Sequence, residues 1–218
     1  MVTLPSILER QRFAAPGPEP LGLAFDGGIM WLASRESHRL YAIDPITWQV
    51  IHEFSAPGAP FGIAARGGEL RVIVGFGEDD DDRYIYRFVT ALGFAPERIP
   101  CPDLSGVHLA LDDEVLYLSQ AHNRRILALD EHGAIAREIP LTCRPVGMTR
   151  SAGVFYLVTG EPGTQSTQVT TVDARGEKPL IQSRASIPFV ARGLAFDGAC
   201  WWTADRENNE IVRFTLAP

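Results

Sequence analysis

One segment returns five times along this chain, and a chain made of five like segments has few ways to fold. The copies read Pro20-Leu-Gly-Leu-Ala-Phe-Asp-Gly-Gly-Ile-Met-Trp31, Pro60-Phe-Gly-Ile-Ala-Ala-Arg-Gly-Gly-Glu-Leu-Arg71, Gly106-Val-His-Leu-Ala-Leu-Asp-Asp-Glu-Val-Leu-Tyr117, Pro145-Val-Gly-Met-Thr-Arg-Ser-Ala-Gly-Val-Phe-Tyr156 and Ala191-Arg-Gly-Leu-Ala-Phe-Asp-Gly-Ala-Cys-Trp-Trp202. Each is a small turn, an apolar run, a Gly or Asp turn, an aromatic or apolar run, then a third strand. They begin 39 to 46 residues apart, the length of one four-stranded propeller blade. Helical spacing is nowhere sustained, while short β-branched and aromatic runs bounded by turn residues are the pattern of antiparallel meanders.

The first blade is expected to place strands at 21–25, 29–33, 39–44 and 49–55, with turns at Asp26-Gly27-Gly28 and Asp44-Pro45-Ile46-Thr47. Third strands follow at 84–89, 125–130, 168–173 and 210–215, and outer strands at 97–101, 134–141 and 178–183. The fifth copy has no outer strand of its own. The extended segment 7–14 has the right length to supply it and so to close the ring, leaving no unpaired edge. The expectation is an all-β, single-domain, five-bladed β-propeller over 1–218, with blades near 20–57, 60–102, 106–143, 145–187 and 191–216 plus 7–14. A four-bladed ring or a solenoid does not use all five three-strand cores. Gly22, Gly62, Gly147 and Gly193 begin the inner strands, where backbones converging on a narrow axis need room.

A length of 218 residues with 45% hydrophobic content suits one all-β domain. Met1 to Arg10 has no basic stretch followed by an apolar core, and no apolar run approaches the roughly 20 residues of a membrane span. A cytoplasmic chain without membrane attachment is expected. Cys101, Cys143 and Cys200 fall in separate repeats without zinc-type pairs, and their odd number suits buried free thiols. A formal charge of −7 argues against nucleic acid, whose binding depends on cationic side chains.

In such a meander the loops between second and third strands share one face with the inter-blade connections. Here they are long, variable and charged: 34–38, 77–83, 120–124, 160–167 and 205–209. Function usually resides in variable loops on a rigid scaffold, so this face is the candidate. It offers Arg35, His38, His122, Arg124, Arg192, Asp205 and Arg206 as ligand-binding groups. His108 stands where the other four copies have Gly, and Arg192 precedes Gly193 where the others have Leu, Phe or Val. An imidazole and a guanidinium near the mouth suit an anionic or carboxylate-bearing ligand, or acid-base work by His108 with Glu161 or Asp205. The structural alternative is that His108 fills the axis against a backbone carbonyl and Arg192 pairs with Asp205 or Glu207. The Glu78 to Asp82 run lacks the alternating ligands and mid-loop Gly of a calcium loop. No metal motif is present, so a divalent cofactor would have no ready-made site. No nucleophile elbow is legible, and Trp31, Trp201 and Trp202 on second strands read as core.

Gly193-Leu-Ala-Phe-Asp-Gly-Ala-Cys-Trp-Trp-Thr-Ala-Asp-Arg-Glu-Asn-Asn-Glu-Ile-Val-Arg-Phe214 and its counterpart from Gly22 to Asp44 resemble the NHL, YncE-like and virginiamycin B lyase-like propeller superfamily. The resemblance covers nearly the whole chain and implies the fold. It implies no single activity, because such repeats occur in scaffolds, ligand binders, lyases and hydrolases. The streptogramin lyases of the group are seven-bladed and use a metal with His and Glu; His108 and His122 are the residues here that echo them. Glutamine cyclotransferases, also five-bladed, carry an acidic residue at the end of an early second strand, where this chain has Trp31-Leu-Ala-Ser-Arg35. The expected function is binding of a small molecule or peptide at the charged mouth. A lyase or cyclotransferase activity there, or a protein-interaction scaffold, are the alternatives. Oligomeric state is not legible.

Overall fold

The computed structural model describes residues 4–112 and 115–217. The described residues form five antiparallel four-stranded sheets. The first is β2 (Pro20–Asp26), β3 (Ile29–Ser34), β4 (Arg39–Ile43) and β5 (Val50–Ser55), in chain order from the axis outward. Three more sheets repeat this order, starting from inner strands β6 (Ala59–Arg66), β10 (His108–Asp112) and β14 (Pro145–Ser151). The fifth runs β18 (Ala191–Phe196), β19 (Trp201–Asp205), β20 (Glu210–Thr215) and then β1 (Leu8–Ala14). The N-terminal strand thus supplies the missing outer strand, with Leu8 opposite Thr215 and Ala14 opposite Glu210. The inner strands contact one another around the whole circle, β18 meeting β2.

Because successive strand residues face opposite sides of a sheet, each blade offers an apolar face to both neighbours. Trp201 and Trp202 show the consequence. Trp201 packs with Val158, Val169 and Phe214 between the fourth and fifth blades, whereas Trp202 packs with Leu23, Met30 and Tyr41 between the fifth and first. Three more clusters fill the remaining junctions. The core is therefore five inter-blade layers, and a fully buried aromatic such as Phe214 contributes about 2–3 kcal/mol to one of them.

The inner glycines are required by contact. A Cβ on Gly22 would lie 2.1 Å from the Phe61 carbonyl oxygen, and one on Gly62 would lie 2.5 Å from that of Val107. Gly147 and Gly193 meet the oxygens of Gly193 and Leu21 in the same way, at 2.7 and 2.5 Å. Each glycine lets its strand lie against the carbonyl of the next, and the chain of contacts passes from the fifth blade back to the first. At these four positions the pairing of first and second strands shifts register. The third blade, with His108 in the slot, pairs without a shift.

The closing strand is also held by side chains. Arg12 on β1 donates to Asp205 and Glu210, both at 2.8 Å, and lies over the Phe189 ring at 5.0 Å. Ahead of it, Ile7 N–H donates to the Ser186 carbonyl at 3.0 Å and Ser186 N–H to the Pro5 carbonyl at 2.8 Å.

Some elements depart from expectation. The second blade's outer strand, Gly93–Pro100, starts four residues before 97 because Phe94 packs on Tyr86 and Phe88. The fourth blade's outer strand, Leu180–Ile187, continues past 183, since Ala185 and Ile187 are wholly buried in the junction with the fifth blade. All three thiols are free, but only Cys101 is buried. Cys143 and Cys200 lie half-exposed, beside a face-lining loop and in the Asp197 turn. Among the described residues, no helix is long and apolar enough to cross a membrane.

Candidate functional site

The inner strands start at the face carrying the long loops. There Phe61 and Val146 are buried in the layers between the second and third and between the fourth and fifth blades. Arg83, at the start of the second blade's third strand, stacks over Phe61 at 4.0 Å and donates to the Gly106 carbonyl at 2.6 Å. Burial lowers its pKa. A small axial cavity of about 130 Å³, walled by Leu23, Ile63, Leu109 and Met148, lies farther along the inner strands.

Arg192 is a half-buried guanidinium at this face. Its one hydrogen bond goes to the Ala191 carbonyl, at 2.9 Å. No carboxylate among the described residues pairs with it, and burial lowers its pKa to about 10, with Arg206 and Arg144 adding to the effect. The partners anticipated for it are otherwise placed. Asp205 is fully buried, accepts from Arg12 and takes an Asn208 side-chain hydrogen bond at 2.9 Å. Glu207 is exposed and makes no ion pair among the described residues.

Arg192 and Arg206 line a cleft of about 200 Å³ with the 160–165 loop, including Glu161, and the exposed Glu207 also lines it. A second cleft of about 250 Å³ flanks the same loop and contains Arg144 and Cys143. Glu161 lines both and is held by Arg124 at 3.0 Å. The loop is shaped locally: Thr164 donates its hydroxyl to the Glu161 carbonyl at 2.8 Å, and Gly160 N–H reaches the Arg144 carbonyl at 3.3 Å.

His108 lies elsewhere. It is 3% exposed, with its ring against the Val146 backbone of the fourth blade, and Nε2 has no hydrogen-bond partner. Burial pushes its pKa down to about 3, although the Val146 contact favours protonation; Arg192 and Arg83 reinforce the drop. The ring is therefore neutral at ordinary pH. It lines neither cleft, so His108 and Glu161 are not brought together.

The other anticipated residues spread across the same face. Arg35 binds Asp80 at 2.7 Å and Glu19 at 3.4 Å, and Arg206 reaches Glu19 at 3.6 Å. His38 and His122 are exposed, His38 with a positive φ of 52° in its turn. Of the acidic loop, Asp80 is the residue engaged with Arg35. No cluster of three His, Cys, Asp or Glu side chains suited to a metal occurs among the described residues. Sequence reasoning missed Arg144 and Arg83. The position of Arg144 just ahead of the Pro145 repeat start signalled the correct face, but its nearness to Arg192 depends on how two blades meet.

No family model and no curated protein matches the chain. Solved structures do. A glutaminyl cyclase from Myxococcus xanthus superposes over the whole of both chains with a TM-score of 0.72 at 12% identity. A PQQ-bound aldose sugar dehydrogenase from Streptomyces coelicolor gives 0.58 at 16% identity, over 97% of this chain and 81% of that one. A streptogramin B lyase gives 0.54 at 13% identity, over 97% and 98%. At these identities the likeness is of the fold, and at that level the resemblance read from the repeats holds.

Proposed function

We propose that this protein is a ligand-binding propeller that takes a small molecule or peptide bearing a carboxylate, in the cleft between the 160–165 loop and the start of β18. The observation that carries this reading is Arg192: a half-buried guanidinium, open to a cleft, beside two further arginines and without a carboxylate of its own. A cation kept partly out of water without a partner is costly, and a ligand anion relieves that cost. Binding is favoured over chemistry through His108 because that imidazole is neutral, buried and outside the cleft.

Titration of the 15N-labelled protein with propionate tests this. Shifts are expected at Gly160 to Thr167 and at the Arg192 guanidinium, and Arg192→Gln should weaken binding about tenfold or more, as loss of a charge-assisted pair requires. Unchanged affinity in Arg192→Gln refutes the proposal.

A further inference from the structure

The Arg192 cleft carries two unpaired groups of opposite sign. Arg192 is half-buried in its lining, and Glu207 is on its exposed side, where the carboxylate makes no ion pair or hydrogen bond among the described residues. The other charges lining the cleft are already occupied, Glu161 by Arg124 and Arg206 by Glu19. Its net requirement is therefore one anion at Arg192 and one cation at Glu207, and about 200 Å³ is room for a molecule of few heavy atoms.

We infer that the ligand is a small zwitterion of the amino-acid class, its carboxylate on Arg192 and its ammonium on Glu207. This rests on the proposed carboxylate site and adds the second pole. A plain carboxylate would satisfy Arg192 and leave Glu207 as it is. An amine could meet Glu207 but would leave Arg192 unpaired and would bring a further cation toward Arg192 and Arg206. A zwitterion alone meets both groups, and the two poles fix its direction in the cleft.

Four probes of nearly the same skeleton separate these cases: L-alanine, β-alanine, propionate and ethylamine, titrated into the 15N-labelled full chain and into its Glu207→Gln and Arg192→Gln variants. Glu207 lies on an exposed loop, so Glu207→Gln keeps the fold. At least one of the two zwitterions should bind the unaltered protein about two- to fivefold more tightly than propionate, the upper range of an exposed ion pair, and ethylamine, which leaves Arg192 unpaired, should bind more weakly than that zwitterion. Glu207→Gln should erase that preference and leave propionate affinity as it was, whereas Arg192→Gln should weaken all carboxylates. If propionate binds through Arg192 as tightly as both zwitterions, or if the preference survives Glu207→Gln, the inference is overturned and the carboxylate site stands. If no carboxylate responds to Arg192→Gln, the carboxylate site fails, and the inference with it.

Discussion

Lowering the pH from 7 to 5 should destabilise this protein through one residue. The His108 imidazole is buried against Val146 and faces the charges of Arg192 and Arg83, and its folded pKa is about 3 against an ordinary value of 6.5. Between those values the unfolded chain binds a proton at this site that the folded chain does not. The stability is thus complete above pH 6.5 and falls as the pH drops toward 3, at up to about 1.4 kcal/mol per pH unit. From pH 7 to pH 5 the loss amounts to about 2 kcal/mol. The carboxylates that hydrogen bonds hold low lie outside that window. Asp173, held at about 2 by the Arg175 hydrogen bond, and Asp44, lowered by the Ile46 and Thr47 amides, act only below about pH 4. The other four histidines are exposed. Urea unfolding followed by tryptophan fluorescence at pH 7, 6 and 5 measures the slope. His108→Gly, which restores the residue of the other four blades, should remove it whatever that variant's absolute stability. A flat profile in the unaltered protein, or an equal slope in His108→Gly, refutes the argument.

Gly22→Ala should cost about 3 kcal/mol in urea unfolding, because the new Cβ falls 2.1 Å from a backbone oxygen that the ring cannot move aside; a cost below about 1 kcal/mol means that the inner strands can spread. Arg12→Ala strands the fully buried Asp205 carboxylate and should cost about 3 kcal/mol. Arg87→Ala, which breaks the exposed pair with Glu69, should cost about 1 kcal/mol or less, and equal effects of the two variants would remove Arg12 as the clamp of the closing strand. Asp26→Ala, which frees the Gly67 and Gly68 amides of the neighbouring blade, should cost about 1 kcal/mol; thermal denaturation unchanged from the unaltered protein would show that this clamp is idle.

The fold was legible because its physics is written in the repeat. Five Gly- or His-headed inner strands, each with an aromatic or apolar second strand, have one arrangement that leaves no apolar face uncovered, and the missing fifth outer strand had a single candidate of the right length. The ring of glycines was readable for the same reason: the axis demands close approach. The site was legible only in part. Which face bears the long loops follows from strand order, and Arg192 and Glu161 are both on it. What Arg192 meets is decided by side chains from opposite ends of the chain. Arg12, on the N-terminal strand, claims Asp205 and leaves Arg192 without it. That exchange has no signature in local pattern, since it follows from ring closure.

The departures from the repeat are not scattered. His108 in the glycine slot turns toward the fourth blade from one side. Arg192, where the other copies have an apolar residue, lines the cleft with Gly160 and Thr167 of that same blade from the other. Gly193, next to Arg192, is the one inner-ring glycine with a positive φ, at 65°. Sequences that specify a fold break their local rules where something other than stability is served. A neutral buried imidazole with an unpartnered nitrogen and a half-buried guanidinium with no carboxylate both cost folding free energy. Their convergence on the top of β14, at a ring otherwise built from glycine and apolar side chains, is what sets this stretch of the face apart from the rest of the molecule.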